Sequence, residues 1–416
     1  MRKLNFKNKG TVSIFLFAVM TFMIDAFNYN MTNFMGLPYA TWTNICVIIF
    51  IMWVIFAYII PAHGIVIFNK YSVFQYLFIL MSFISLIYTY NFNDTLDRVK
   101  RLLIVFILYI CIYQFASEKE NLRKCLKMYV WAAFAASVYM VSGSDLSARI
   151  GGLLGDANQV GITLAFAATV AMYVLKTEAK IIYILPIILQ GYAILFTGSR
   201  TAFVLLLLAI VCNICISAYQ YHWKIRYILL AAIIMAGIIY GIFYAVMNME
   251  ILYDILGIRI ESFIAIMQGE TTSYQETSTQ FRLIYMRRAF EWFLQSPLWG
   301  NGIGAFASYN DSFIDGRYCF SHCDYTELLS ALGLPGFILF FYPLLIYIRS
   351  IFDFRGVNIS REYRILLGSL TIEFLVGEVF LVMHYQKETW ILLALLACIY
   401  KVSRNNDRGV LESSDE

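Results

Sequence analysis

One run of twenty residues without a charged side chain decides the fold class: TAFVLLLLAIVCNICISAYQ, from Thr201 to Gln220. The hydrocarbon core of a bilayer is about 30 Å thick, and about 20 apolar helical residues are needed to cross it. The run therefore predicts a transmembrane helix. Arg200 stands immediately before it, where a charged residue marks the end of a span.

The composition of the whole chain agrees with this segment. Of 416 residues, 61% are hydrophobic and only 14% are charged, against about 25% in an average soluble protein. A soluble enzyme or a secreted domain cannot bury that much apolar surface, and the eight cysteines lie mostly in apolar runs rather than in a disulfide framework. The net charge of +4 is too small to indicate a nucleic-acid partner.

Twelve apolar runs predict an all-α polytopic membrane protein with about 12 transmembrane helices. The runs are 11–27, 43–60, 72–90, 99–116, 126–142, 157–175, 181–197, 201–220, 226–247, 325–348, 365–384 and 388–400. Residues 1–247 then hold helices 1–9, 248–324 form a large, partly helical extracytoplasmic loop, 325–400 hold helices 10–12, and 401–416 form a cytoplasmic tail.

The distribution of Lys and Arg predicts the orientation, because basic residues accumulate in cytoplasmic loops. With both termini in the cytoplasm, 20 of the 31 basic residues are cytoplasmic and 11 are outside. Nine of those 11 outer residues are Arg. Arg holds phosphate and carboxylate groups through two parallel hydrogen bonds, so the bias indicates an outer anion site, although scatter in a small sample explains it equally well.

The predicted outer loop contains one amphipathic helix. Its apolar side repeats at helical spacing from Phe281 to Phe293, its other side carries Arg282, Arg287 and Arg288, and Ser296-Pro297 ends it. A glycine-rich turn follows, and its backbone amides could face an anion. The loop closes with Cys319-Phe320-Ser321-His322-Cys323-Asp324.

Nucleotide-binding loops, dinucleotide fingerprints, zinc-protease motifs and nucleophile elbows are absent from the sequence. Any chemistry must then use residues in or beside the membrane, on a substrate that the membrane presents. Cys319, His322 and Cys323 alone do not make a metal site, because a fourth ligand is missing.

Three ordered stretches resemble the O-antigen ligase/polymerase superfamily of bacterial envelope proteins. They are RIGGLLGDANQ from Arg149 to Gln159, LFTGSRTA from Leu195 to Ala202, and the segment from Arg282 through PLWGNGIG (Pro297–Gly304) to His322, Glu327, Gly333 and Gly336. The interval of ten residues between His322 and Gly333 fits a pattern known among the polymerases. Together the stretches span about half of the chain.

This resemblance implies a glycosyltransferase of the bacterial cytoplasmic membrane. Its donor and acceptor would be oligosaccharides on polyprenyl pyrophosphate, so that no cofactor, metal or nucleotide sugar is required. A polymerase joins one repeat unit to another, whereas a ligase transfers the glycan to a different envelope acceptor. A flippase and a chain-length regulator are possible partner proteins. The rival from another class is a lipid-linked oligosaccharide flippase, although the halves of the chain show no internal repeat.

The resemblance also nominates site residues. His322 is the predicted general base, since imidazole titrates near neutrality, and the alternative role is a polar residue that caps a helix. Arg282, Arg288 and Arg200 are predicted to stabilise the departing pyrophosphate. For Arg282, Arg287 and Arg288 the alternative role is an ion pair with Glu291 on a solvated helix face, and for Arg200 it is an anchor at the membrane interface. The predicted substrate-binding residues are Arg149, Asn158, Arg287, Gly302, Asp324 and Glu327. Glu373 and Glu378, inside the eleventh run, indicate a buried polar cavity or an ion path.

Overall fold

The computed structural model describes residues 9–28, 30–61, 72–143, 156–258, 260–261, 264, 275–352 and 358–412. Its helices up to the outer loop are α1 (Lys9–Phe27), α2 (Tyr39–Val54, continued by a π-helical turn to Ile59), α3 (Ser72–Ile84, continued by a 3₁₀ turn to Ile87), α4 (Phe92–Ala116), α5 (Lys119–Gly143), α6 (Ala157–Glu178), α7 (Ile184–Phe196), α8 (Arg200–Gln220) and α9 (Ile225–Asn248).

The second part of the chain is also helical. It contains α10 (Glu250–Leu252, followed by a π-helical turn to Gly257), α11 (Gln275–Gln295), α12 (Phe306–Asp311), α13 (Asp324–Arg349), α14 (Asn358–Gly377) and α15 (Lys387–Glu412). The two strands in the described ranges, β1 (Asn33–Phe34) and β2 (Leu37–Pro38), pair antiparallel in a short hairpin between α1 and α2.

The helical fold class is confirmed. Eight helices in the described residues are long and apolar enough to cross a membrane, and two shorter apolar helices cover Ser72–Ile87 and Ile181–Phe196. Each of the twelve predicted runs overlaps a helix. The number of spans and the placement of the outer loop remain predictions, as do the domain boundaries.

The centre of the fold is α6, which packs against α5, α7, α8 and α14. Small residues along it allow close approach, as they do in membrane helix pairs. A Cβ atom on Gly161 would lie only 2.6 Å from the Cβ of Ala202 on α8. This close packing places the starts of α6 and α8 side by side at one end of the bundle.

Ion pairs identify the opposite end of α6. Glu178 pairs at 2.7 Å with both Arg123 and Lys127 at the start of α5, and Lys176 pairs with Glu362 of α14 at 2.9 Å. A helix of 22 residues is about 33 Å long, so this basic cluster lies roughly one bilayer thickness from Asp156. The cluster belongs to the side that the sequence predicts to be cytoplasmic.

Candidate functional site

The glycine-rich turn joins the outer loop to the bundle. The amides of Asn301 and Gly302 both donate to the carbonyl of Ala331, at 3.2 and 2.9 Å, and the amide of Ile303 donates to Ser85 Oγ at 3.2 Å. These amides are therefore bound within the protein and do not face an anion. Gly302 has a φ of +104°, and a Cβ there would lie 2.0 Å from Thr89 Oγ1, so only glycine fits.

The start of α13 receives this turn at a kink. Gly333 has a φ of +65° and a ψ of −170° within the helix, and the amide of Leu334 donates to the carbonyl of Pro297 at 2.8 Å. Pro297, which follows the end of α11, thus supplies the Leu334 amide with the acceptor that the kinked helix lacks. The turn from Pro297 to Gly302 and Gly333, which ten residues separate from His322, together connect the outer loop to the bundle beside the site.

His322 lies in the loop just before α13. Its backbone is left-handed, with a φ of +61°, a conformation that is uncommon for a residue with a side chain. Its ring stacks on that of buried Tyr285 from α11, with centroids 6.3 Å apart and an angle of 20° between the planes. Within the described residues, the imidazole makes no hydrogen bond to the protein, so its nitrogens remain available for a substrate.

Burial and charge keep this imidazole neutral. Burial and, to a smaller extent, the positive charge of Arg282 lower the pKa of His322 from 6.5 to about 4, although Asp156 opposes the shift. Burial likewise lowers the pKa of Arg282, and Asp156 again opposes the shift. His322, Arg282, Asp156 and Tyr285 are hereafter called the His322 site.

Arg282 is the half-buried cation of the His322 site. No described carboxylate lies within ion-pairing distance of it, although the charge of Asp156 acts on it. Asp156 caps α6, and its Oδ1 accepts the amides of Asn158 at 2.9 Å and Gln159 at 3.4 Å. An Arg without a paired carboxylate beside a neutral imidazole suits an anionic ligand.

The other two arginines of α11 have protein partners. Arg288 donates to Asp315 at 2.5 Å and to Asn310 at 3.0 Å, and it contacts the ring of Phe313 at 4.3 Å. Arg287 pairs with Glu291 at 2.7 Å on a face where its side chain is 81% exposed. Arg288 thus holds the loop together, and Arg287 forms the solvated helix pair that was the alternative interpretation.

Asp324 and Glu327 organise the polypeptide around His322. Asp324 is fully buried and accepts three hydrogen bonds, from the amides of Met383 (2.9 Å) and His384 (2.7 Å) and from His384 Nδ1 (2.5 Å). Glu327 accepts the amide of Ser321 at 2.9 Å. Asp324 is therefore fully occupied by the protein, whereas Glu327 uses one oxygen to hold Ser321 and its Oε1 has no partner among the described residues.

The remaining predicted residues lie at the starts of α6 and α8, in or just after α14, or outside the described residues. Arg200 begins α8 next to the N-cap Ser199 and is half-buried. Asn158 lies in the first turn of α6. Glu373 and Glu378 are fully buried, and Glu373 accepts Thr169 Oγ1 at 2.6 Å. Arg149 lies outside the described residues.

Sequence reasoning missed two contributors. His384, the last residue of the eleventh apolar run, is completely buried against Asp324. Arg98 of α4 is 6% exposed and contacts Phe320 and Tyr385. The available signal was the rarity of an Arg close to a predicted transmembrane run.

The fold and this arrangement define a polytopic helical membrane protein with a polar site at one end of its bundle. Residues 185–341 match the family model described as O-Antigen ligase. The match confirms the resemblance to the O-antigen ligase/polymerase superfamily. It includes Arg200, Arg282, Gly302, His322 and Glu327, and it excludes Arg149 and Asn158. No curated protein matches the chain.

Proposed function

We propose that this protein is a membrane glycosyltransferase that polymerises oligosaccharide repeat units carried on polyprenyl pyrophosphate. The product would be a surface polysaccharide such as O-antigen, capsule or exopolysaccharide, made on the outer face of the bacterial cytoplasmic membrane. The observation that carries the proposal is the juxtaposition of neutral His322 with Arg282, which has no ion pair among the described residues. The family match supports a membrane enzyme that acts on lipid-linked glycans.

In the proposed reaction an acceptor hydroxyl attacks the anomeric carbon of the donor sugar. The new C–O bond forms as the bond to pyrophosphate breaks, and polyprenyl pyrophosphate leaves with the electron pair. His322 takes the hydroxyl proton, and Arg282 stabilises the charge on the leaving oxygen. A fixed guanidinium in a site that excludes water stabilises such charge strongly.

The low pKa of His322 keeps its imidazole unprotonated, which is the state that a general base requires. At neutral pH the imidazole is unprotonated, because burial and Arg282 lower its pKa to about 4. When the anionic pyrophosphate binds beside it, the added negative charge raises that pKa and makes the imidazole more basic. Donor binding would therefore activate the base for the transfer step.

A ligase is the second candidate function, because the matching family model is described as O-Antigen ligase. Purified protein incubated with a lipid-pyrophosphate repeat unit separates the two. A ladder of products is expected for a polymerase, and a single transfer to an added envelope acceptor would show a ligase. Movement of intact donor across a vesicle membrane, without transfer, would contradict both and indicate a flippase.

A further inference from the structure

Arg98 is a buried cation in the second turn of α4. Its guanidinium carbon lies 3.4 Å from the ring centroid of Tyr385 and 4.5 Å from that of Phe320, and these two centroids are 5.7 Å apart. Its Nη1 is buried and donates no hydrogen bond to a described residue. Burying a guanidinium without full pairing is costly, so its place beside the loop requires an explanation.

The two rings flank His322 through the chain. Phe320 lies two residues before His322, and Tyr385 follows His384, whose ring holds Asp324 two residues after His322. Through Phe320, Arg98 contacts the chain before His322. Through Tyr385, it contacts the neighbour of His384, which holds Asp324 after His322. The three-residue stretch between these anchors has little freedom to change its backbone.

The conformation of His322 needs such an anchor. A left-handed backbone is unfavourable for a residue with a side chain, and it persists only where the surroundings impose it. The start of α4 also holds the rest of the loop: Asn91 donates to Ser308 at 2.8 Å, and Asp94 accepts Tyr318 Oη at 2.8 Å. α4 is thus the platform on which the loop is fixed.

We propose that Arg98 is a positioning residue, which fixes Phe320 and Tyr385 so that His322 keeps its left-handed backbone and presents its imidazole to the acceptor hydroxyl. The inference rests on the proposed function, in which His322 removes a proton. A planar guanidinium can contact two rings at once, whereas the ammonium of Lys is a compact and strongly hydrated charge. Arg98→Lys therefore preserves the charge and removes the contact.

The first test is a double-mutant cycle on single-turnover transfer with saturating lipid-linked donor. Arg98→Lys should lower the rate about 10–100-fold, because small misplacements of a catalytic group cost up to about 10²-fold, and donor affinity should remain unchanged. In the His322→Ala background the same substitution should have no further effect. An equal loss in both backgrounds would overturn the proposal, and so would a wild-type rate for Arg98→Lys.

The controls separate positioning from general damage. Arg101→Lys changes an exposed cation on the same helix and should behave as wild type. If Arg98→Lys is poorly folded, Phe320→Leu replaces it in the test. This variant keeps apolar bulk but removes the ring, so it should show the same loss of transfer in the wild-type background and no further loss in the His322→Ala background. Wild-type transfer by well-folded Phe320→Leu would contradict the anchor.

A second readout does not depend on activity. Diethyl pyrocarbonate modifies neutral imidazoles, and mass spectrometry can compare His322 with exposed His222 in the same purified protein. Arg98→Lys should speed modification of His322 severalfold and leave His222 unchanged. If His322→Ala proves fully active, the proposed base fails while this rate still decides the role of Arg98. Unchanged modification of His322 in folded Arg98→Lys protein would refute the positioning role.

Discussion

Two histidines near the start of α13 differ in their partners. His384 is fully buried, and Asp324 accepts hydrogen bonds from its amide and its Nδ1, while its Nε2 has no partner among the described residues. His322 is half-buried, stacks on Tyr285 and has no hydrogen bond to a described residue. The comparison teaches that an imidazole tied to a buried carboxylate and sealed from solvent belongs to the scaffold, whereas one held in place by ring stacking and still partly exposed is accessible to a substrate.

The largest effect is expected at His322, the partly exposed histidine. His322→Ala should lower transfer by about 10²–10⁴-fold, which is the usual contribution of general base catalysis. His322→Gln should fail similarly, because an amide is not a base near neutral pH. Single-turnover transfer with saturating donor, measured together with donor binding, tests this. Lost donor binding with a normal rate at saturation would make His322 a binding residue instead.

The buried Asp324–His384 pair should respond through stability. Asp324→Ala leaves three buried donors, two amides and the His384 ring, without their acceptor, at about 1–3 kcal/mol each. We expect a severe loss of folded protein, measured by thermal unfolding and gel filtration in detergent. Asp311→Ala, at the exposed end of α12, is the matched control. A stable but inactive Asp324→Ala protein would instead place Asp324 in the reaction.

Local sequence patterns could predict the helices but not these roles. The apolar spacing around Phe281–Phe293 and the proline at 297 predict a helix, and α11 ends at Gln295, because spacing and proline act on neighbouring residues. By contrast, Asp324 and His384 meet across 60 residues, and Arg98 reaches Phe320 from another helix. Only the tertiary packing decides which polar groups are already satisfied.

The glycine-rich turn illustrates the same limit. From sequence alone, a turn with three glycines is consistent both with an anion site lined by backbone amides and with close packing of that turn against a helix. The choice depends on whether acceptors lie opposite, and Ala331 supplies one to the amides of Asn301 and Gly302. Arg282 and Arg288 present the same ambiguity, because both occur on one helix and only the structure shows that Arg288 pairs with Asp315.

Substitutions of Arg282 and Arg288 test the same contrast between groups free for a substrate and groups bound by the protein, with effects of intermediate size. Arg282→Lys should lower transfer nearly as much as Arg282→Ala, about 10²-fold, since a planar guanidinium holds pyrophosphate through two hydrogen bonds, and folding should be normal. Arg288→Lys should also impair activity, but with reduced loop stability, because it loses the bonds to Asn310 and Asp315. Limited proteolysis of the loop measures the second effect. Wild-type transfer by Arg282→Lys would indicate a generic positive charge.

The smallest effect concerns pH. An imidazole accepts a proton only when it is neutral, so a pKa lowered from 6.5 to about 4 extends the active range towards acid. We expect kcat/KM, which reports the free enzyme, to stay constant from pH 8 to about pH 5 and to fall below that. The acid limb of kcat should lie at higher pH, because bound pyrophosphate stabilises the protonated imidazole.

The charge of Arg282 contributes to the pH dependence of kcat/KM, and replacing Arg282 shows in which direction that charge shifts the pKa of His322. Arg282→Gln deletes a positive charge beside His322, so the pKa of His322 should rise and the acid limb of kcat/KM should move to higher pH. The limb should remain below 6.5, because burial is the larger cause of the shift and persists in the variant. Arg101→Gln removes an exposed charge from α4 and should not move the limb. A wild-type limb centred near 6.5 would mean that His322 is solvated in the working enzyme, and the contrast with His384 would then lose its physical basis.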